Sequence, residues 1–312
     1  MNDQADSLRK LVTAQENGAL QQPKLTRIVT VTSGKGGVGK SNFSLNFALM
    51  LQRRGQKVLV FDADIGMANI DVLMGFSAPH NLYHLLKREK TIWDIIQHVP
   101  SGIDFIAGGS GFRDLVELPQ SELDYFGEQI ARLSGHYDVI LFDTGAGLSK
   151  ETVKFIAAAQ ETIVVTTPEP TSITDAYALM KMVRSMHEDV SFKLVVNRAS
   201  DIREGKQTAD KIAMVAKQFL QIEVPLLGTV MDDANVTKAV KKQVPFALAY
   251  PTGEAARSID VIARHFFKRR RKCSPGRGWA ERLYQPDAEA EKVIKPRQEG
   301  GKYNGSISRS RR

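Results

Sequence analysis

One cysteine, Cys273, stands in 312 residues. That excludes a disulfide framework and any cysteine-rich metal or iron–sulfur cluster built within one chain. No apolar run approaches the length that crosses a bilayer. The stretch from Met1 to Lys24 is polar and charged, so no secretory leader is expected in it. These absences make a cytosolic protein the expectation. The hydrophobic share of 42% still permits a large core in one or two domains.

Excess charge is also missing, except at one end. The net charge is +8, yet from Lys268 onwards there are 14 Lys and Arg against 5 Asp and Glu, while the rest carries 29 against 30. The focus is Lys268-Arg269-Arg270-Arg271-Lys272. Such a run suits anionic lipid or nucleic acid, or is the solvated end of a helix entering a disordered tail. Beyond Phe267 the composition turns to Arg, Gly, Ser, Pro and Glu, and the compact domain is expected to end there.

What is present is an alternation of strand-like and helical segments. Apolar, β-branched runs occur at Arg27–Thr32, Lys57–Phe61, Ile103–Ile106, Asp138–Phe142, Thr162–Thr166, Lys193–Val196 and Pro225–Val230. Helical spacing marks Asn42–Arg54, Asp201–Leu220 (Ile212, Val215, Ala216 and Phe219 on one side) and Gly253–Phe267 (Ile259, Ile262, Ala263 and Phe266). Uninterrupted apolar strands separated by helices predict an α/β fold, a mostly parallel central sheet with helices on both faces.

The first strand runs into Ser33-Gly34-Lys35-Gly36-Gly37-Val38-Gly39-Lys40-Ser41. This satisfies G-x-x-x-x-G-K-[ST] between a strand and a helix, the context that gives the motif its meaning. Backbone N–H groups of such a turn point at a phosphate, and the following helix adds its positive end. Lys40 is then expected to reach the β- and γ-phosphates and Ser41 to offer a hydroxyl to Mg²⁺. Two acidic segments should complete the pocket. Asp62 and Asp64 follow the second strand, and Asp143 follows another, before Gly145-Ala146-Gly147. Ligands in open α/β sheets bind beyond the carboxyl ends of strands, where these acids converge on the loop. Asp143 reads as an acid supporting Mg²⁺, while Asp62 or Asp64 orients water.

The loop holds one lysine more than the motif needs, Lys35. From Lys35 to Ser41 it reads K-G-G-x-G-K-S and resembles the deviant P-loop ATPases of the MinD/ParA class, over roughly Lys24 to Phe267. The resemblance implies that Lys35 reaches across an ATP-dependent homodimer to the neighbour's nucleotide, and that hydrolysis or product release loosens the pair. Its implied catalytic set is Lys35, Lys40, Asp64 and Asp62, with Asp64 positioning the attacking water. Implied nucleotide contacts are Gly34, Lys35, Gly36, Gly37, Val38, Gly39, Lys40, Ser41 and Asn42, with Asn197 on adenine and Arg198 beside it. Mg²⁺ is implied at Ser41, Asp143 and Asp62. VVNRAS stands where the guanine-reading N-K-x-D would be, so ATP is expected rather than GTP. Where relatives often carry a proline before an acid near the base, this chain has Gly228-Thr229-Val230-Met231-Asp232; Met231 is expected to pack on adenine as a flexible apolar surface.

Residues 1–22 form a separate expected unit. Ala5, Leu8, Leu11 and Val12 have helix-like spacing, and so short a helix needs a partner surface to settle. DQADSLRKLV, with Asp3, Gln4, Ala5, Leu8, Arg9, Leu11 and Val12, is similar to D-Q-A-x-x-L-R-x-L-V in the flagellar-number regulators of that class. The similarity implies that residues 1–20 activate the signal-recognition-type GTPase FlhF, and that flagellar switch or C-ring proteins are further partners. The expected organisation is therefore residues 1–22 for partner binding, 23–267 for the ATPase and 268–312 as a basic tail.

Relatives carry an amphipathic membrane helix after the last core helix. Here Pro275, Gly276 and Gly278 interrupt that region and only Trp279, Leu283 and Tyr284 offer apolar anchors. Peripheral contact with the inner face of the membrane is expected for the ATP-bound dimer. A DNA-partition ATPase is the alternative, opposed by the near-neutral core; a nucleotide-gated adaptor with negligible hydrolysis is another. His80 and His84 have the spacing of a metal pair but no third ligand, and read as solvent-facing.

Overall fold

The computed structural model describes residues 26–64, 69–100, 102–109 and 120–268. The expected partner segment at 1–22, the tail beyond Lys268 and residues 65–68 of the first acidic segment lie outside the described residues.

The strands are β1 Arg27–Ser33, β2 Val58–Ala63, β3 Gln97–His98, β4 Asp104–Ile106, β5 Val139–Ala146, β6 Glu161–Thr166, β7 Phe192–Ala199 and β8 Leu226–Met231. They form one sheet in the order β3-β4-β2-β5-β1-β6-β7-β8. Every pairing is parallel except β3 with β4. Strands β2 and β6 are buried at every residue, as expected where helices cover both faces. The two-residue edge strand β3 carries no sequence signal; its pattern is too short to show a period.

The helices are α1 Lys40–Gln52, α2 Ile70–Met74, α3 Leu82–Leu86, α4 Ile92–Ile95, α5 Gln120–Ala131, α6 Lys150–Ala158, α7 Pro170–Met186, α8 Ile202–Leu220, α9 Ala234–Lys241, α10 Phe246–Ala249 and α11 Glu254–Lys268. On one face α1 and α11 pack together: Phe43 stacks on Phe47 at 5.2 Å, and Phe266 meets Phe47 edge-on at 5.2 Å. Truncating a buried phenylalanine such as Phe266 costs about 3–5 kcal/mol. On the other face α5 and α6 close over Phe61 and Phe142 with Phe126 and Phe155. Alongside, α7 and α8 cover Val164 and Val196 with Leu179 and Ile212.

The apolar stripe of α11 is buried as its spacing predicts, with Ile259, Ile262, Ala263 and Phe266 at 1% exposure or less. The stripe of α8 needs correction. Ile212 and Ala216 are buried, but Phe219 is 65% exposed. The buried face instead runs through Gly205, Thr208, Ala209, Ile212 and Ala216. Small residues let this helix lie close to β7 and β8, and placing Val215 and Phe219 on the stripe in place of Gly205, Thr208 and Ala209 rotated the predicted face.

At the amino-terminal ends of the central strands, Glu161 accepts from Arg27 at 2.7 Å and pairs with Lys193. The Arg27 guanidinium also lies 3.9 Å over the Phe266 ring and donates to the Phe266 carbonyl at 3.4 Å. The last helix is thereby fastened to the first strand.

Candidate functional site

The order β2-β5-β1 sets three chemically marked strand ends side by side. Asp62 and Asp143 are register partners across β2 and β5, and β1 ends in the glycine loop. The loop turns through left-handed residues at Gly37 (φ 80°) and Gly39 (φ 88°), a region open to glycine at little cost. A side chain at Gly39 would also meet the Asn197 carboxamide at 2.4 Å. At Gly34 a Cβ would lie 2.2 Å from the Asp175 carbonyl carbon, so glycine there lets α7 press against the loop. Helix α1 starts inside the motif, at Lys40, after left-handed Gly39, whose carbonyl accepts the first helical bond from Phe43 N at 2.9 Å.

A cavity of about 720 Å³ opens over this rim, within the roughly 300–1,000 Å³ usual for small-molecule sites. Of the sequence candidates, Gly36, Gly37, Gly39, Lys40, Ser41, Asn42 and Asp64 line it. Ala63, Asn69, Gly145, Ser149 and Glu151 supply the far wall. Asp64 is half-buried, and burial first, then the Asp143 charge, push its carboxyl up against the pull of Lys40. Its Oδ1 would be 3.3 Å from a Cβ at Gly145, so that glycine leaves the carboxylate room.

Asp143 is completely buried. Its Oδ1 accepts from Lys40 Nζ at 3.2 Å and from Ser44 Oγ at 2.7 Å. Its Oδ2 is buried with no protein partner, beside Lys40, whose Nζ also reaches the Ser41 hydroxyl at 3.3 Å. A carboxylate that is bonded to the phosphate-loop lysine and keeps one orphaned oxygen suits the support of a hydrated Mg²⁺, which keeps several waters and takes few protein ligands, and Asp143, like Asp62, lies behind the cavity wall. Among the described residues no group of three or more His, Cys, Asp and Glu could cage a metal.

Asp62, expected near metal or water, holds backbone donors in the structure. Its Oδ1 accepts from Asp64 N at 3.1 Å, and its Oδ2 from Asn69 N at 2.9 Å and Ile70 N at 3.1 Å. It thus ties the end of β2 to the start of α2, on either side of residues 65–68. Burial and then the Asp143 charge push its carboxyl up to about 7 despite those three donors. Asp62 lies behind the cavity wall rather than on it.

Lys35 does not line the cavity. Its amine donates to Glu169 Oε2 and Thr171 Oγ1, each at 2.9 Å, at the start of α7. Asn197 also differs from a simple base reader, since its side-chain amide donates to the Val38 carbonyl at 2.7 Å. Arg198, left-handed at φ 58°, and Met231 stand at the neighbouring ends of β7 and β8, outside the main cavity. The histidine pair is half-buried rather than solvent-facing. The rings meet edge-on at 5.2 Å, and His84 Nδ1 receives the Asn81 N–H that opens α3.

Three contributors had no place in the sequence argument: Ser44, Glu169 and Thr171. Ser44 had a usable signal, since it follows Lys40 by one helical turn and so shares its face. Glu169 and Thr171 stand just past a strand end, where any ligand-side residue of an open sheet is found.

A family profile described as AAA domain matches residues 26–196. The chain is 38% identical over 266 residues to the flagellum site-determining protein YlxH of Helicobacter pylori, covering 84% of this chain and 90% of that one. It is 35% identical over 238 residues to the antiactivator FleN of Pseudomonas aeruginosa, covering 76% and 85%. The septum site-determining protein MinD of Pyrococcus horikoshii, solved in complex with Mg-ADP, superimposes with a TM-score of 0.65 at 24% identity, covering 78% of this chain and 97% of that one.

Proposed function

This chain belongs to the MinD/ParA family of P-loop ATPases, and on that premise we propose that it is an ATP-dependent dimerising switch that sets the placement and number of flagella. The observation that carries the switch is Lys35. Its amine is held on Glu169 and Thr171, outside its own cavity. A lysine so placed faces away from the cavity of its own subunit and leaves Glu169 and Thr171 when it serves another's. The flagellar assignment rests on the similarity to YlxH and FleN and on DQADSLRKLV near the amino terminus.

In the cycle, loop N–H groups and Lys40 bind the ATP phosphates, and Lys35 of a second subunit neutralises further charge as the dimer closes. Asp64 orients the attacking water from its half-buried position on the wall. The Ser41 hydroxyl and Asp143 are the groups that would hold Mg²⁺, which when bound would supply neutralisation of phosphate charge. Gly34 to Asn42 supply the phosphate cradle, while Asn197, Arg198 and Met231 border the base. Hydrolysis removes the γ-phosphate that both subunits share, and the pair separates.

Residues 1–20 deliver the output to the GTPase FlhF, C-ring proteins are a second target, and the basic tail draws the dimer to the inner membrane surface. The test is FlhF GTP turnover measured with the full chain and with a chain lacking residues 1–20. Stimulation by the first and none by the second supports the reading. Equal turnover with both removes residues 1–20 from the mechanism. A steeply salt-dependent affinity of the ATP-bound chain for random DNA would favour a partition ATPase instead.

A further inference from the structure

Asp143 is a buried anion with two unequal oxygens. Oδ1 has two donors, Lys40 Nζ at 3.2 Å and Ser44 Oγ at 2.7 Å; Oδ2 has none. The two donors do not have the same future. When a triphosphate enters, Lys40 turns its amine to the phosphates, as the phosphate-loop lysine does. The carboxylate then loses the cation beside it. A buried carboxylate without a fixed donor is free to rotate, and no longer presents one definite oxygen to the loop.

Ser44 lies on the second turn of the motif's helix and is completely buried. Its hydroxyl sits 3.1 Å from the Lys40 carbonyl and 2.7 Å from Asp143 Oδ1. One hydroxyl hydrogen cannot serve both acceptors. The shorter contact to a charged acceptor takes it, because a hydrogen bond to an ion is about twice as strong as one between neutral groups. The Lys40 carbonyl keeps its ordinary helical environment, so the choice leaves nothing stranded.

We propose that Ser44 is a positioning residue for the Mg²⁺ site: its hydroxyl anchors Asp143 Oδ1 after Lys40 has moved to the phosphates, and so keeps Oδ2 available to the hydrated ion. This rests on the reading of Asp143 as a metal-supporting acid. Ser44 touches neither nucleotide nor ion itself. The motif ends at Ser41, so the role falls outside the residues its pattern names.

The probes are ADP and magnesium chloride, and the readouts are two. The first is the unfolding midpoint of the ADP complex as Mg²⁺ is titrated. The second is ADP affinity in EDTA. In Ser44→Ala the Mg²⁺ concentration for half-maximal stabilisation rises about tenfold or more, the usual scale for losing a group that supports a metal ligand, while ADP affinity in EDTA stays that of the wild type. Ser44→Thr, which keeps the hydroxyl, restores the wild-type titration; Ser44→Cys, similar in shape with a weak donor, lies between. A Ser44→Ala curve that overlays the wild type overturns the proposal, as does a shift that Ser44→Thr fails to rescue although the variant folds. Asp143→Asn separates the two levels. If it too responds to Mg²⁺ as the wild type does, the reading of Asp143 is what fails, and Ser44 falls with it.

Discussion

Lys35 and Glu169 are 134 residues apart in sequence and their charged atoms are 2.9 Å apart. The contact joins the glycine loop to the start of α7 within one subunit, and the Lys35 hydrogen bond and charge hold the Glu169 carboxyl below its usual range. The pair is exposed, with side chains 31% and 50% accessible, so it adds little to folding. Its significance is competitive: a lysine engaged here is not yet engaged elsewhere.

Lys35→Ala is therefore expected to bind ATP and remain monomeric, with an unchanged unfolding midpoint. Light scattering with a non-hydrolysable ATP analogue and Mg²⁺ checks this; dimers equal to those of the wild type would remove the cross-subunit role. Glu169→Gln should act in the opposite direction. With its charged partner gone, Lys35 is released more easily, and dimers form at a lower ATP concentration.

Asp64 is the strand-end aspartate that both lines the cavity and keeps an exposed portion. Asp64→Ala should retain ATP and still form dimers, while single-turnover hydrolysis falls by about 100-fold or more, the lower end of what one positioned acid or base contributes. Hydrolysis at the wild-type rate would transfer the task to another group.

Asn197 touches the loop backbone before it touches any base. Its bond to the Val38 carbonyl means that Asn197→Ala loosens the phosphate cradle itself. Competition by inorganic tripolyphosphate should then weaken along with ATP binding, each by about 1–3 kcal/mol for a lost buried partner. A variant that loses ATP affinity but holds tripolyphosphate normally would make Asn197 purely a base reader.

Glu161 gives a pH signature far from the site. Burial pushes its carboxyl up, but Arg27 and Lys193 outweigh that and hold it below the ordinary 4.5. A depressed carboxyl contributes stability that is present above the unfolded value and is lost as pH falls through the lower folded one. Glu161→Gln should be less stable at pH 7 by roughly 3–5 kcal/mol, because two cations keep their burial and lose their counter-charge. Urea midpoints of the two proteins should converge below pH 4.5; a constant gap would contradict the linkage.

The central strands were legible because they are buried on both faces, which writes unbroken β-branched runs such as Val139–Phe142 into the chain. The loop was legible because left-handed turns and phosphate approach demand glycine at fixed spacing. The α8 face was not, since small residues such as Gly205 and Ala209 pack by closeness and leave Phe219 outside. The backbone partners of Asp62 were hidden for a related reason. Position at a strand end is visible in sequence, whereas the backbone donors that occupy its oxygens come from Asn69 and Ile70 after the chain has turned back. Ser44 and Glu169 belong to the same class of long-range partners, whose meaning exists only once the sheet is assembled.

The clasp of Arg27 on Phe266 brings the start of β1 and the end of α11 to one shared exit, on the rim away from the phosphate loop. The edge of the sheet where the strands begin is thus closed by the last helix, while the opposite edge, where they end, is left to the phosphate loop and its cavity.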